Sequence, residues 1–121
     1  IKFIDHCKDM ALAYQVSDII ISPSIEPEAF GRVAVEAQSM EKLIIASNIG
    51  GSNETIVNEK TGFLFESGDV NSLSKKIIRA ITMDETSLRL IGKEGRKNVI
   101  KKFNVEKMCF STYSEYKRLL N

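Results

Sequence analysis

Short apolar runs alternate with longer stretches of helical periodicity along this 121-residue chain. Ile1–Ile4 is an apolar run that predicts a strand, and Asp5–Asp9 a polar turn. Met10–Val16 predicts a short helix with Asp9 as its N-cap, because an Asp side chain can accept from the open N–H groups of a first helical turn. Asp18–Ser22 contains three consecutive isoleucines, the pattern of a strand buried on both faces of a parallel sheet. Gly31–Met40 predicts a helix, with Val33, Ala37 and Met40 recurring at i, i+4 and i+7 toward the sheet and Glu36 off that stripe. Leu43–Ser47 is the next buried strand, Asn48–Asn53 a glycine-rich loop, and Glu54–Asn58 a brief helical turn. Gly62–Phe65, entered through a Lys-Thr-Gly turn, is a further strand. The remainder reads as helical. Either Asp69 or Asn71 caps a helix running to about Ile81, and Asp84 caps a second with Leu88, Ile91, Gly95 and Val99 on one face. A third spans about Val105 to Leu120.

Strands alternating with helices, followed by helices alone, predict an α/β fold: a doubly wound, Rossmann-like parallel sheet of about four strands with a helical C-terminal tail. The length suits one domain, 1–121, and there is no internal repeat, low-complexity segment or interdomain linker. The chain starts inside an expected strand, so an upstream portion is expected to be missing. In open parallel sheets, ligands bind at the carboxyl ends of the strands. Three loops, Asp5–Asp9, Pro23–Gly31 and Asn48–Asn53, follow such ends and are expected to line one crevice.

Composition narrows the classes. Hydrophobic content of 43% supports a packed core. With Lys+Arg 17 against Asp+Glu 16, the net charge is +1, which gives no support for a nucleic-acid partner. The late basic residues Lys93, Arg96, Lys97, Lys101 and Lys102 fall on a helix with an apolar face and read as its solvated side. The two cysteines, Cys7 and Cys109, fit no metal spacing and read as idle thiols in a reducing compartment. No Asp-x-Asp and no His/Cys cluster suggests a metal site, and no apolar run approaches a membrane span.

The chemistry concentrates in Pro23-Ser24-Ile25-Glu26-Pro27-Glu28-Ala29-Phe30-Gly31 and the helix after it. Glu28 lies at a strand–loop–helix corner, and Glu36 follows with seven residues between them. Carboxylates accept hydrogen bonds from vicinal hydroxyls, so such a pair suits a polyhydroxylated ligand. The same corner opens a helix, whose free N–H groups favour an anion. Gly50-Gly51 reads equally as a tight turn or as a ligand-contacting loop, and Glu54 as its brace. Taken alone, Arg32 and Glu36 form an i, i+4 surface pair, and Glu28 an exposed loop carboxylate. His6 reads as a turn residue, Glu26 as solvated, and Phe63, Phe65, Phe103 and Phe110 as core.

The motifs together resemble the donor-binding signature of the family-four retaining glycosyltransferases of the GT-B fold. They are Pro23-Ser24, Glu28-Ala29-Phe30-Gly31, Glu36-Ala37, Ala46-Ser47, Gly50-Gly51-Ser52-Asn53-Glu54 and Thr61-Gly62-Phe63-Leu64-Phe65, in family order over nearly the whole chain. The resemblance implies the C-terminal, nucleotide-sugar-binding domain of such an enzyme, in part. It implies a catalytic and sugar-binding role for Glu28. The backbone of Ala29, Phe30 and Gly31, with Gly50 and Gly51, would approach sugar and diphosphate, and Glu36 would accept from the ribose hydroxyls. His6 and Cys7 would lie near the nucleobase. The parent reaction would move a hexose from a nucleotide-diphosphate sugar to a hydroxyl acceptor, with retention, without cofactor or obligatory metal, as in polysaccharide or lipopolysaccharide synthesis. The implied setting is cytoplasmic, peripheral to the inner face of the membrane.

The family's acceptor domain, and an upstream Arg and Lys for the diphosphate, have no counterpart here. The isolated chain is therefore expected to be inactive, to self-associate, or to need a partner chain carrying the missing half. A non-catalytic remnant or subunit of a split glycosyltransferase is the alternative. A related sugar-nucleotide epimerase fits the Glu-x-Phe-Gly corner and helical tail less well, and a dinucleotide oxidoreductase would want a Gly-x-Gly-x-x-Gly that is absent.

Overall fold

The computed structural model describes residues 1–120 and contains a three-stranded parallel sheet in the order β1-β2-β3. The strands are β1 (Ile19–Ser22), β2 (Leu43–Ser47) and β3 (Phe63–Phe65). The register sets Ile19 beside Leu43, and Ile45 beside Phe63. Six helices accompany them: α1 (Met10–Val16), α2 (Arg32–Ser39), α3 (Ser52–Thr55), α4 (Val70–Thr82), α5 (Glu85–Lys102) and α6 (Val105–Leu120).

The central strand explains the two-sided architecture. Every residue of β2 is buried, and successive side chains point to opposite faces. Ile44 and Ala46 pack with Tyr14 of α1, Ala34 and Ala37 of α2, and Ile56. Leu43 and Ile45 pack with Phe63 and Phe65, Ala80 of α4, and Ile91 of α5. The unbroken apolar run Leu43–Ala46 is what a strand covered on both sides requires. The helix starts follow local chemistry. The carboxylates of Asp9, Asp69 and Asp84 each accept from first-turn N–H groups of α1, α4 and α5, and Asp69 rather than Asn71 caps α4.

Several expectations are corrected. Ile1–Ile4 is not a strand; its residues are exposed and pair with nothing among the described residues, so the sheet has three strands rather than about four. A strand needs a neighbour for its N–H and C=O groups, and none is within this segment's reach. β1 is accordingly an edge, and Ile21 is 40% exposed instead of buried on both faces. The brief helical turn comes two residues earlier, as α3. On α2 the deepest positions are Ala34, Ala37 and Gln38, while Val33 and Met40 pack at the margin. Buried Gln38 donates to the carbonyls of Ala34 and Thr55, so its polar head is satisfied. Phe110 is 71% exposed, and Phe103 is half-buried; neither belongs to the core proper. No residue of α6 is buried. Cys7 and Cys109 are both free, half-buried and exposed respectively. Among the described residues no helix is long and apolar enough to cross a membrane.

Candidate functional site

The loops that follow the carboxyl ends of the three strands bond to one another. Gly51 N–H donates to the Glu28 carbonyl at 2.7 Å, and Ser67 Oγ to the Ser24 carbonyl at 3.2 Å. The loop from Pro23 to Gly31 is thus clamped from both sides. Two glycines make this possible. Gly50 has φ +57, and a Cβ there would lie 2.6 Å from the Glu28 carbonyl oxygen. A Cβ on Gly51 would lie 2.3 Å from the Phe30 carbonyl carbon. The Gly50-Gly51 pair is therefore needed for close approach of loop to loop.

Glu28 is half-buried, and its Oε1 accepts from Ser24 Oγ at 2.5 Å. Gly31, in the left-handed region at φ +72, then turns the chain into α2. Among the described residues no group accepts from the backbone N–H groups of Ala29, Phe30 or Gly31. These groups lie just before the first turn of α2, where the helix dipole favours negative charge.

Glu36 sits one turn into α2. Its Oε2 accepts from the Tyr14 hydroxyl at 2.8 Å, and its Oε1 from Arg32 at 2.9 Å. The i, i+4 pair anticipated from sequence therefore forms, but it accounts for only one of the two oxygens. Burial, followed by the bond to Glu36 and its negative charge, pushes the Tyr14 phenol up to about 12. Tyr14 therefore remains a donor throughout the ordinary pH range. Met10, Ala11, Tyr14, Arg32, Glu36, Ser39 and Met40 line a cavity of about 280 Å³ in the seam between α1 and α2. A second cavity, of about 460 Å³, lies between Phe30, Phe103 and the first turns of α6. Phe30 meets Phe103 edge to face, with ring centroids 5.6 Å apart.

The structure thus brings Glu28, Ala29, Phe30, Gly31, Gly50 and Gly51 into one loop cluster and sets Glu36 on the adjoining helix. His6 and Cys7 line neither cavity. Their segment is largely exposed, and the wall beside Glu36 is built instead by Met10, Ala11 and Tyr14 of α1. Two polar contacts are not anticipated by the sequence reading: Tyr14 to Glu36, and Ser24, already part of the Pro23-Ser24 motif, to Glu28. Ser24 carried a signal, lying four residues before Glu28 in a polar loop. Tyr14 carried a fainter one, as the only polar-tipped aromatic of a helix otherwise made of small and aliphatic residues and one glutamine. Among the described residues no three of His, Cys, Asp and Glu gather as a metal-holding group.

A family model described as glycosyl transferases group 1 matches residues 1–102. The chain belongs to this family. It is 34% identical over 120 residues to the capsular polysaccharide biosynthesis glycosyltransferase CapM of Staphylococcus aureus, covering 99% of this chain and 31% of CapM. It superposes on a glycosyltransferase from Rickettsia africae with a TM-score of 0.89 at 41% identity, covering 95% of this chain and 31% of that one. The HepE protein of Anabaena, solved in complex with UDP-glucose, gives a TM-score of 0.77 at 25% identity, covering 86% of this chain and 29% of that one. The chain spans less than a third of each of these relatives. Its α/β sheet with a helical tail matches part of GT-B glycosyltransferase structures.

Proposed function

We propose that this chain forms the donor-binding part of a glycosyltransferase and holds a nucleotide-diphosphate sugar at the carboxyl ends of its strands. The reading rests chiefly on Glu36, a carboxylate that accepts from Tyr14 and Arg32 on the wall of a cavity, on the helix that follows the Glu28 loop. Each carboxylate oxygen has two lone pairs. Tyr14 uses one, and the exposed bond to Arg32 is exchangeable, which leaves acceptor capacity for the two vicinal hydroxyls of a ribose. The N–H groups of Ala29, Phe30 and Gly31 suit the diphosphate. Glu28, braced by Ser24, suits the hydroxyls of the sugar and is the catalytic candidate. Gly50 and Gly51 keep the Glu28 loop in place, and their loop borders the same space. A UDP-glucose complex of a structural relative agrees with a uridine nucleotide as the first ligand to try.

In the parent reaction the bond between the anomeric carbon and the diphosphate oxygen breaks. A bond from that carbon to the acceptor oxygen forms, and the acceptor hydroxyl gives up its proton. The leaving diphosphate gathers negative charge, and preorganised donors stabilise such charge best. The test is calorimetric titration of the folded chain with UDP, GDP and ADP and with their hexose conjugates. Glu28→Ala is expected to spare the free nucleoside diphosphate and weaken the nucleotide sugar. Equal loss for both ligands would make Glu28 a structural residue.

A second reading, in which the chain functions only alongside a partner half, is favoured by one observation. The apolar side chains Val105, Met108, Phe110, Tyr113, Tyr116 and Leu119 of α6 are exposed. Sedimentation of the chain at rising concentration separates self-association from a monomer that awaits a different partner.

A further inference from the structure

Tyr14 is the one buried residue of α1, at 4% exposure. It belongs to the core cluster of Ala34, Ala37, Ile44, Ala46 and Ile56, so the core, and not solvent, decides where its hydroxyl lies. The hydroxyl reaches out of that core to Glu36 Oε2 at 2.8 Å. The other partner of Glu36 is of a different kind. The Arg32 side chain is 82% exposed, and the Glu36 side chain 35%. A pair so open to water holds its geometry weakly. Glu36 therefore has one fixed partner and one exchangeable partner. A free glutamate samples many rotamers, and ordering such a side chain opposes binding. A donor anchored in the core removes much of that disorder before any ligand arrives.

We propose that Tyr14 is a positioning residue for the donor site: it holds the Glu36 carboxylate in the orientation that accepts the vicinal ribose hydroxyls, while Arg32 is the partner those hydroxyls displace. The inference rests on the reading of Glu36 given above. It adds a residue on α1, outside the Glu28–Glu36 segment, to the machinery of nucleotide recognition.

The experiment compares wild type and Tyr14→Phe, which keeps the ring and removes only the hydroxyl. Each is titrated with whichever of UDP, GDP and ADP the wild type binds, and with the 2′,3′-dideoxy analogue of that nucleotide. Tyr14→Phe is expected to weaken the ribose nucleotide by roughly 3- to 10-fold, the order set by one immobilised side chain. It is expected to leave the dideoxy analogue unchanged, and to add no further loss in a Glu36→Gln background. Unchanged affinity for the ribose nucleotide overturns the proposal and leaves the donor reading standing. Equal weakening of both nucleotides also overturns it, since Tyr14 would then act through the fold at large. No binding of any nucleotide by the folded wild type removes the donor reading and this inference together. Should Tyr14→Phe fail to fold, NMR of the wild type decides. The phenol carbon signal of Tyr14 should move on adding the ribose nucleotide and stay in place with the dideoxy analogue; a signal that stays in place with both overturns the proposal.

Discussion

Replacing Gly51 by alanine should damage this protein far more than its small size suggests. Gly51 has an ordinary helical backbone, φ −60 and ψ −20, so alanine meets no conformational penalty there. The difficulty is contact. The added methyl would lie 2.3 Å from the Phe30 carbonyl carbon and 2.6 Å from its Cα. Both are backbone atoms and cannot rotate away, so the two loops must separate by roughly 1 Å to restore ordinary contact. The Gly51 N–H···O=C Glu28 bond, 2.7 Å long, would then be stretched beyond useful length. Overpacking of this kind costs about 1–3 kcal/mol. An unsatisfied backbone pair adds about 1–3 kcal/mol, and the two overlap because one movement relieves the clash and breaks the bond. A loss of about 2–4 kcal/mol is expected, a large share of the ~5–15 kcal/mol that holds a domain together.

Gly68 provides the control. It has φ +78 and nothing within 4 Å of a would-be Cβ, so Gly68→Ala carries the left-handed backbone penalty alone, about 1 kcal/mol. Urea unfolding followed by circular dichroism measures both. Gly51→Ala should lower the midpoint by roughly 1–2 M and Gly68→Ala by well under 1 M. If the two variants unfold at the same urea concentration, the loop clamp is not the reason for the glycine pair.

Two further predictions follow the titrating groups. The Tyr14 phenol lies near 12 in the folded chain and about 10 when unfolded, so its contribution to stability is intact below pH 10 and is lost as pH rises toward 12. Spectrophotometric titration should show one of the three tyrosines ionising late, and Tyr14→Phe should lack the stability loss, up to about 3 kcal/mol, between those values. For Glu59, burial raises the carboxyl, but its bonds to Lys76 and Arg79 outweigh that and hold it below the usual range. The contribution is present above the unfolded carboxylate value and lost as pH falls through the folded one. Glu59→Gln should therefore lower Tm by about 1–3 °C at pH 7, the small effect expected of a half-exposed pair, and by progressively less as pH falls through the folded carboxyl's range. A difference that does not shrink as pH falls would mean that Glu59 acts by packing.

The features legible in the sequence were those fixed by neighbouring residues. The three aspartate caps lie beside the helices they start, and the four consecutive apolar residues of β2, Leu43–Ala46, mark a central strand. The Arg32–Glu36 pair follows from helical spacing. What stayed hidden depends on contacts remote in sequence. Nothing in Ile1–Ile4 shows whether a strand is present for it to pair with, and such pairing decides whether the segment is a strand. The bond from Tyr14 to Glu36 spans 22 residues and crosses from one helix to another. The role of Gly50-Gly51 became readable only when the Glu28 loop was seen lying against it. Phe110 was misread as core because aromatic content predicts burial only where an opposing surface exists, and no residue of α6 is buried.

The most direct test of the account is the affinity of the folded chain for UDP, measured by calorimetry beside Glu36→Ala. Saturable binding by the wild type, weakened in the variant by about 1–3 kcal/mol, is the predicted result, because a carboxylate that accepts from ribose has been removed. Equal affinity of the two proteins for UDP would contradict the placement of the nucleotide against Glu36, and absence of binding to UDP, GDP and ADP alike would contradict the donor-site reading itself.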